Sequence, residues 1–464
     1  MIGRGTAAVC AALVMLELVS FPQTQAQAWT KAPRLTGLRC VPATAAACRD
    51  AIRLPVGRQI QLRGRGLVSG MRVTFRWSKG ALATKLRRGR VGWAAVVPPG
   101  TALGKVGVTV RDRARRRSNA RQIVVIAEAP LPRRAATAPG SLPDVFEGNG
   151  MWIWMLSKSE GADLDAIAAR ARGASMRTVF IKSADAASLW PQFSPELVQG
   201  LHDRGLRVCA WQFVYGTDPL GEAAAGAASV RAGADCLVID AESAYEGRYA
   251  AAQRYMTALR AAIGPGYPLA LTSFPYVDYH PRLPYSVFLG AGGVQANLPQ
   301  VYWKDIGATV DAVSARTLAN NRIYRTPLAP LGQAYDNPDS VDIARFRAVW
   351  AGYGAGGLSW WSWQSASDRT WATLAAPAPA PVVLPDPGWP SLRKGSSGDQ
   401  VIWLEQHLAS ADPSVAIDGK FTAATETALI ALQTARGLPA SGSTDAATWQ
   451  ALLTLPMRPV DWTR

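Results

Sequence analysis

Two acidic side chains stand two residues apart at the end of an apolar stretch. Residues 236–239 read Cys-Leu-Val-Ile, a run typical of a buried parallel strand, and Asp240 and Glu242 follow directly. Because side chains alternate along a strand, both carboxyl groups are predicted on one face. A pair of carboxyl groups with separable pKa values is what cleavage of a glycosidic bond requires. The alternative is a structural pair that is either salt-bridged or helix-capping, with Asp240 or Ser243 as the cap of a helix that begins near Tyr245.

Strand and helix patterns alternate around this pair. The apolar strand candidates are residues 151–155, 178–182, 207–213, 236–240, 269–273, 298–302, 326–331 and 357–363. Alternation of this kind predicts a (β/α)8 TIM-like barrel over residues 148–372. An open doubly wound sheet is the alternative. The barrel is favoured because no glycine-rich phosphate loop follows the first strand and because the last strand is as aromatic as the first.

The carboxyl ends of the barrel strands are expected to form one mouth, where chemistry takes place in such folds. Aromatic and amide side chains are frequent at these strand ends, and they suit the apolar face and the hydroxyl rim of a sugar ring. The candidate substrate-binding residues are Lys182, Trp211, Gln212, Tyr276, Gln300, Trp303, Gln333, Trp361 and Trp363. The alternative for each aromatic residue is a place in the barrel core.

Short motifs in this region resemble the lysozyme (N-acetylmuramidase) and chitinase-like barrels. They are the Ile-Asp-Ala-Glu of residues 239–242, the Pro-Gln-Val-Tyr-Trp of residues 299–303 and the Trp-rich last strand. The resemblance implies that Glu242 is the general acid and that Asp240 tunes it and orients an N-acetyl group. It also implies that Tyr302 steadies the intermediate.

The acid that many such muramidases carry at the end of their first strand is missing. Residues 151–157 read Met-Trp-Ile-Trp-Met-Leu-Ser, and the next aspartate is Asp163. Two functions are therefore left open: a glycoside hydrolase that acts on cell-wall glycan, and a non-catalytic wall-binding scaffold with a degenerate barrel. A peptidase is a weaker third hypothesis, since no Ser/His or Cys/His pair is evident. No metal or other cofactor is expected, because no Cys/His cluster has metal-ligand spacing.

A compact helical pattern follows a Pro-rich linker at residues 376–390. Residues 391–455 resemble the peptidoglycan-binding domain 1 family, the three-helix module found in many wall hydrolases. The resemblance implies peptidoglycan as a partner. One departure is Leu432, where the family usually has an aromatic residue. The motifs that carry the resemblance are Leu392 to Gly395, Gly398 to Val401, Leu404 to Leu408, Ile417 to Phe421, Gly437-Leu438 and Thr448 to Leu452.

Positive charge is concentrated near the start of the chain. The formal net charge is +17, and residues 30–128 hold 22 Lys and Arg against 3 acids. Short alternating segments between Gly, Pro and Ser turns predict a β-sandwich over these residues. Turns at residues 64–71 and 98–104 resemble those of IPT/TIG immunoglobulin-like domains, which implies a binding or spacing role. The charge favours an anionic cell-wall polymer that carries phosphate or carboxylate groups, with a lipid surface as the alternative. Nucleic acid is not expected, because aromatic and basic residues do not interleave in a known motif.

Residues 1–28 have the features of a secretory signal peptide, with Arg4 before an apolar run and small residues up to Ala28. No later stretch is long and apolar enough for a membrane span. We therefore expect a secreted protein that associates with the cell wall. A Pro- and Ala-rich linker is predicted at residues 129–147.

The cysteines remaining after signal removal support this expectation. Cys40 and Cys48 are close in sequence, and in an oxidising compartment they are predicted to form a disulfide. Cys209 and Cys236 lie on two predicted neighbouring strands. They are either buried thiols or a second disulfide.

Overall fold

The computed structural model describes residues 32–40, 52–54, 59–89, 92–98, 100–126 and 140–463. The predicted signal peptide lies outside the described residues. Of the predicted disulfide between Cys40 and Cys48, the whole of Cys48 and the side chain of Cys40 also lie outside them. Contacts divide the chain into two compact units, Met1–Glu128 and Ala129–Arg464. No helix in the described ranges combines the length and apolar character needed to cross a membrane.

The first unit is built from β-strands in its described part. Its strands are β1 (Arg34–Cys40), β2 (Arg53–Leu54), β3 (Gln59–Arg65), β4 (Arg72–Trp77), β5 (Gly80–Lys85), β6 (Arg87–Gly89), β7 (Gly92–Val96), β8 (Gly104–Arg111) and β9 (Arg121–Val125). They form a sheet of order β1-β3-β7-β6 and a mixed sheet of order β2-β9-β8-β4-β5, and both sheets contribute to one apolar cluster. The described part of this unit is rich in strands, and the predicted β-sandwich with its immunoglobulin-like topology stays a prediction.

The second unit contains a parallel sheet of the TIM-barrel type. Its strands are β10 (Gly148–Ile153), β11 (Met176–Asp185), β12 (Ser188–Leu189), β13 (Arg207–Val214), β14 (Cys236–Ala241), β15 (Leu269–Thr272), β16 (Ala296–Asn297), β17 (Gln300–Val301), β18 (Leu331–Gln333) and β19 (Gly357–Trp361). The order is β16-β15-β14-β13-β11-β10-β19-β18-β17, and β12 pairs with the end of β11. The two strands at the ends of this order, β16 and β17, are close together in the chain. The strand order therefore begins and ends at the same place in the sheet.

Helices lie between most of these strands. They are α1 (Leu164–Gly173), α2 (Pro195–His202), α3 (Pro219–Arg231), α4 (Tyr249–Ile263), α5 (Tyr285–Phe288), α6 (Trp303–Ile306), α7 (Val310–Asn321), α8 (Ser340–Gly352) and α9 (Asp368–Ala375). The strands are buried on both faces: Val238 belongs to the inner apolar cluster and its neighbour Ile239 to the outer one. The predicted alternation of strands and helices is thus confirmed.

A disulfide joins two neighbouring strands inside this sheet. Cys209 on β13 and Cys236 on β14 are direct partners in the parallel register, their Cα atoms are 4.6 Å apart, and both side chains are fully buried. Of the two arrangements left open by the sequence, the structure has the disulfide. It closes a loop with a sequence separation of 27 residues that contains all of α3.

Removal of this disulfide is expected to destabilise the second unit. A cross-link that closes a loop of this length restricts the unfolded chain and stabilises a protein by roughly 2–4 kcal/mol. The double variant Cys209→Ala with Cys236→Ala should therefore lose about that much free energy of unfolding, measured by chemical denaturation. An unchanged value for the double variant would contradict the stabilising role.

Three further helices form the C-terminal module: α10 (Asp399–Ala411), α11 (Ala423–Ala435) and α12 (Ala446–Leu452). Trp449 is fully buried among them, whereas Trp403 on α10 points to the barrel and donates its indole N–H to Ile323 O at 3.0 Å. Residues 399–409 are all buried. The module is therefore packed against the barrel, and the predicted linker follows the barrel surface, with the Val382 amide bonded to Ala348 O.

Asp399, the first residue of α10, is the polar centre of this packing. Its carboxyl group accepts hydrogen bonds from the Ser286 amide at 2.8 Å, the Ser286 hydroxyl at 2.7 Å and the Tyr324 hydroxyl at 2.8 Å. Asp399 is 0% exposed, and this burial raises its pKa to about 6 against the opposing effect of those donors. The carboxyl group thus couples the module to two barrel segments.

The titration of Asp399 predicts a pH-dependent stability. The folded state keeps a proton that the unfolded chain releases near pH 3.8, so the free energy of unfolding should fall as the pH rises from 3.8 to about 6. The fall attributable to this group is roughly 2–3 kcal/mol. We expect the variant Asp399→Asn to lose that part of the slope in denaturation experiments across this range.

Glu405→Gln is the matched control, because Glu405 lies on the same helix and burial raises its pKa to about 7. Its variant should keep the slope between pH 3.8 and 6 that Asp399 produces and flatten the curve toward pH 7. A slope below pH 6 that is the same in wild type and Asp399→Asn would contradict the assignment.

Candidate functional site

The two predicted acids lie at the end of β14, on the face of the sheet that points into the barrel. Asp240 is only 6% exposed, and Glu242 comes directly after the strand. Together they line a cavity of about 150 Å³, which is walled by Trp152, Asp240, Glu242, Thr272, Gln300, Tyr302, Leu331 and Trp361. The capping alternative is wrong, since α4 begins at Tyr249 without a side-chain cap.

Gln300 connects the two carboxyl groups. It is the first residue of β17, and its amide Nε2 lies 3.0 Å from Glu242 Oε1 and 3.4 Å from Asp240 Oδ1. The amide can donate both hydrogens, so one neutral side chain bonds both acids. It fixes their orientation toward each other without adding charge.

The surroundings of Asp240 shift its pKa. Burial raises the pKa of Asp240 well above its usual value, and the adjacent Glu242 raises it further, while the Lys182 ammonium opposes the shift. Asp240 therefore holds a proton more tightly than an ordinary aspartate. A protonated Asp240 can donate a hydrogen bond to Glu242, which is the arrangement of a coupled carboxyl pair.

Tyr302 brings a hydroxyl group to the same cavity. Burial raises the pKa of Tyr302 well above its ordinary value, and the nearby Asp240 adds to the shift. The ring packs edge-on against Tyr335 with 5.4 Å between centroids. Tyr302 therefore keeps its proton at pH values where an ordinary tyrosine would ionise, and it stays a neutral O–H donor there.

Tryptophan rings form the opposite wall. Trp152 lies 5.6 Å from Trp211 and 5.9 Å from Trp361 between ring centroids. The indole N–H of Trp152 bonds Ser359 Oγ at 3.0 Å, and that of Trp211 bonds Ile153 O at 3.1 Å. These bonds hold the rings in place, so the cavity presents a fixed apolar surface beside its acids.

Lys182 lies next to the acids but does not line the cavity. Its side chain is buried, and its ammonium pairs with Asp185 Oδ2 at 2.8 Å. The ammonium also lies 4.5 Å from the centroid of the Trp211 ring and 4.8 Å from that of Trp190. Lys182 therefore acts on the site as an electrostatic neighbour of Asp240.

Gln212 faces away from the cavity. The side chain of Trp211 points into the barrel. Because side chains alternate along a strand, that of Gln212, the next residue on β13, points outward to the helices. The Gln212 amide donates to Ala186 O and Glu222 O, both at 2.8 Å, and its carbonyl accepts from the Tyr255 hydroxyl at 3.1 Å. The structure thus gives this predicted substrate-binding residue a place in the outer layer.

Four other residues predicted to bind substrate make their contacts outside the cavity. Trp303 stacks on Phe346, Trp363 packs on Trp371, and Tyr276 packs on Tyr279 under Arg316. Gln333 is fully buried and accepts a hydrogen bond from the Lys304 amide at 3.0 Å. Gln333 therefore supports the loop that begins α6, whereas the three aromatic residues belong to the helical layer.

The sequence analysis missed three residues of the cavity wall: Trp152, Thr272 and Leu331. Each lies on a strand of the parallel sheet, with its side chain on the face that points into the barrel. Trp152 could have been found, because strand periodicity places it and Trp154 on one face of the first strand. Trp154 itself is 40% exposed and lies 6.3 Å from Trp361 between ring centroids.

The described residues contain no group of three or more His, Cys, Asp or Glu side chains that could hold a metal ion. His280 lies 3.2 Å from Glu246 Oε1 and stacks on Phe274, and His202 lies 2.8 Å from Asp235 Oδ2. Neither histidine lines the cavity.

Comparison with known proteins identifies the C-terminal module. The family model described as "Putative peptidoglycan binding domain" matches residues 397–452, which confirms that prediction. No curated protein sequence matches the chain.

Several solved structures are similar to the chain at low sequence identity. A chitinase from Chromobacterium violaceum ATCC 12472 has 12% identity, with 49% of this chain and 98% of that chain covered and a TM-score of 0.36. The Bacillus cereus spore cortex-lytic enzyme SleL has 13% identity, coverages of 55% and 76% and a TM-score of 0.37. An endo-beta-1,4-mannanase from Thermotoga petrophila has 7% identity, coverages of 47% and 68% and a TM-score of 0.37.

The bridging role of Gln300 predicts a titration shift. A hydrogen bond donated to a carboxylate favours its ionised form, so the variant Gln300→Met should raise the pKa of Asp240 further. NMR of ¹³C-labelled aspartate carboxyl groups measures this shift. Gln364→Met is the control, because Gln364 accepts from the Trp154 amide at 3.3 Å and bonds neither acid. An equal shift in both variants, or none in Gln300→Met, would refute the bridge.

Proposed function

We propose that the protein is a secreted, cell-wall-associated glycoside hydrolase that cleaves the glycan of peptidoglycan. The observation that carries the proposal is the coupled pair of Asp240 and Glu242, bridged by Gln300 in a cavity walled by tryptophan. An acid pair supplies and stabilises protons at a glycosidic oxygen, and aromatic rings bind the apolar face of a sugar.

Glu242 is proposed as the general acid: it takes up the proton that Asp240 holds in the resting site and gives it to the glycosidic oxygen as the bond from that oxygen to the anomeric carbon breaks, which leaves Asp240 ionised. The carbonyl oxygen of the sugar's own N-acetyl group would then form a bond to that carbon. Asp240 would orient this group and stabilise the resulting charge, and the Tyr302 hydroxyl would donate a hydrogen bond to it. A water molecule completes the reaction by attack at the anomeric carbon: the bond from the N-acetyl oxygen to that carbon breaks, and Glu242 takes the proton of the water.

The C-terminal module supports peptidoglycan as the substrate. It matches a peptidoglycan-binding family and is packed on the barrel through Asp399 and Trp403. A bound wall strand would therefore be held in a fixed position relative to the barrel, which raises the local concentration of substrate. A flexible tether would give that gain over a wider range of positions.

The remaining parts of the chain fit an extracellular function. We propose that residues 1–28 direct export and that residues 30–128 form an immunoglobulin-like accessory domain. Its excess of Lys and Arg would bind an anionic polymer of the wall. The disulfide between Cys209 and Cys236 is in keeping with an oxidising compartment.

Substitution of the proposed acid should abolish catalysis. We expect Glu242→Gln to reduce the release of reducing sugar from purified peptidoglycan by at least about 100-fold, because general acid catalysis contributes 10²- to 10⁴-fold. Pelleting with purified walls should be unchanged. Glu147→Gln is the matched control, since Glu147 is exposed and immediately precedes β10 at the opposite end of the sheet. Undiminished sugar release by Glu242→Gln would remove Glu242 from the mechanism.

A wall-binding scaffold without catalysis is the second candidate. It is favoured by the cavity wall, where Asp240 and Glu242 are the only acids and the first strand contributes Trp152. This candidate predicts strong pelleting of wild-type protein with walls and no reducing ends from either wild type or Glu242→Gln.

A further inference from the structure

Basic side chains lie directly opposite one another across three strands and a turn of the first unit. Lys85 on β5 pairs with Arg72 on β4, and Arg72 pairs with Arg111 on β8. Arg111 forms a further antiparallel bridge with Arg117, in the turn that follows β8. These four residues, which we term the basic row, continue from one strand to the next without interruption.

The basic row lies on the face of the sheet that points away from the apolar core. Val73 and Phe75 on β4 are fully buried, whereas Arg72 and Arg76, which precede and follow them in the strand, are exposed. Directly opposite side chains in an antiparallel sheet have Cβ atoms roughly 5 Å apart, so the row extends over roughly 15 Å. It is a linear array of positive charge on one surface.

Like charges directly opposite one another destabilise a sheet unless something neutralises them. Among the described residues of this unit the only acid is Asp112, and it is already bonded to the Arg116 amide and guanidinium, both at 2.9 Å. No ion pair within the described ranges includes any member of the basic row, and the buried Nε of Arg111 has no hydrogen-bond partner there. The repulsion is therefore uncompensated within this part of the chain.

The surface beside the basic row carries small side chains. The next positions on this face are Ala83, Thr74 and Thr109, which are aligned across the same strands. Beyond them lies Arg76, opposite Ala81 and Gly107. An extended chain can therefore lie beside the basic row on these small side chains, and the residues described on this face of β4, β5 and β8 include no aromatic ring on which a base could stack.

We infer that the basic row is the binding site for a phosphodiester-linked anionic polymer of the cell wall. Three of its members are arginines, whose planar guanidinium groups bond phosphate oxygens in a bidentate manner. A linear polyanion would neutralise successive charges along the row. The choice of a wall polymer rests on the proposed function, because the peptidoglycan-binding module brings the protein to the wall.

The test compares two double variants of the full-length mature protein. Arg72→Gln with Arg111→Gln removes two central charges of the row. Arg39→Gln with Arg63→Gln removes two exposed charges from the other sheet and gives the same net charge. The ligand is purified poly(glycerol phosphate) teichoic acid immobilised for interferometry. Double-stranded DNA and polygalacturonate are the competing polyanions.

The row variant should bind the teichoic acid at least about tenfold more weakly than wild type, with a smaller salt dependence. The control variant should lose less than about threefold, as expected for diffuse attraction. Equal loss in both variants, no loss in the row variant, or tighter binding of wild type to DNA or polygalacturonate than to the teichoic acid would each overturn the inference.

Thermal unfolding gives a second readout that a structural role would not produce. Relief of repulsion should leave the unfolding temperature of the row variant equal to or above that of wild type. If that variant fails to fold, Lys85→Gln with Arg117→Gln tests the exposed ends of the row by the same binding criterion. Binding to peptidoglycan stripped of its anionic polymers is measured in parallel, and it should be the same for wild type and the row variant. If wild type does not bind this stripped peptidoglycan, the result counts against the proposed function and not against the basic row.

Discussion

The burial of the Asp240 carboxyl group beside the half-buried Glu242 at the end of β14 is the constraint on which the barrel mouth depends. Burial disfavours charge on Asp240, and the proximity of Glu242 disfavours it further. The surrounding groups are those that make such a pair tolerable: Gln300 bonds both carboxyl groups, and the Lys182 ammonium supplies the opposite charge. The result is a proton held at a defined place beside an apolar wall.

A second buried carboxyl group determines how the C-terminal module is held. Asp399 lies at the start of α10 and is bonded by Ser286 and Tyr324 of the barrel, so neither part can move away without exposing an unpaired acid or hydroxyl. The burial of residues 399–409 adds apolar contact on the remaining sides of the helix. Barrel and module are therefore packed together as one unit, although the Pro-rich segment between them predicted only a linker.

Strand periodicity was sufficient to predict the acid pair and the parallel strands but not the full cavity wall. Asp240 and Glu242 are two residues apart, and that spacing alone places them on one face. Strands buried on both faces show no alternation of polar and apolar residues, so Trp211 and Gln212 could not be assigned to the inside and the outside. Trp303 and Trp363 follow their strands, where the turn into the next helix decides their direction. The contact of Trp403 with the barrel depends on packing between distant segments, which local sequence does not encode.

The most direct test of the account is a crystal structure of the Glu242→Gln variant with a peptidoglycan-derived tetrasaccharide. The account predicts a sugar ring in the cavity against Trp361, with a glycosidic oxygen roughly 3 Å from the side chain at position 242. The N-acetyl group of that ring should lie beside Asp240 and Tyr302. A tetrasaccharide bound only on the C-terminal module, with the cavity between Asp240 and Trp361 empty, would contradict the account.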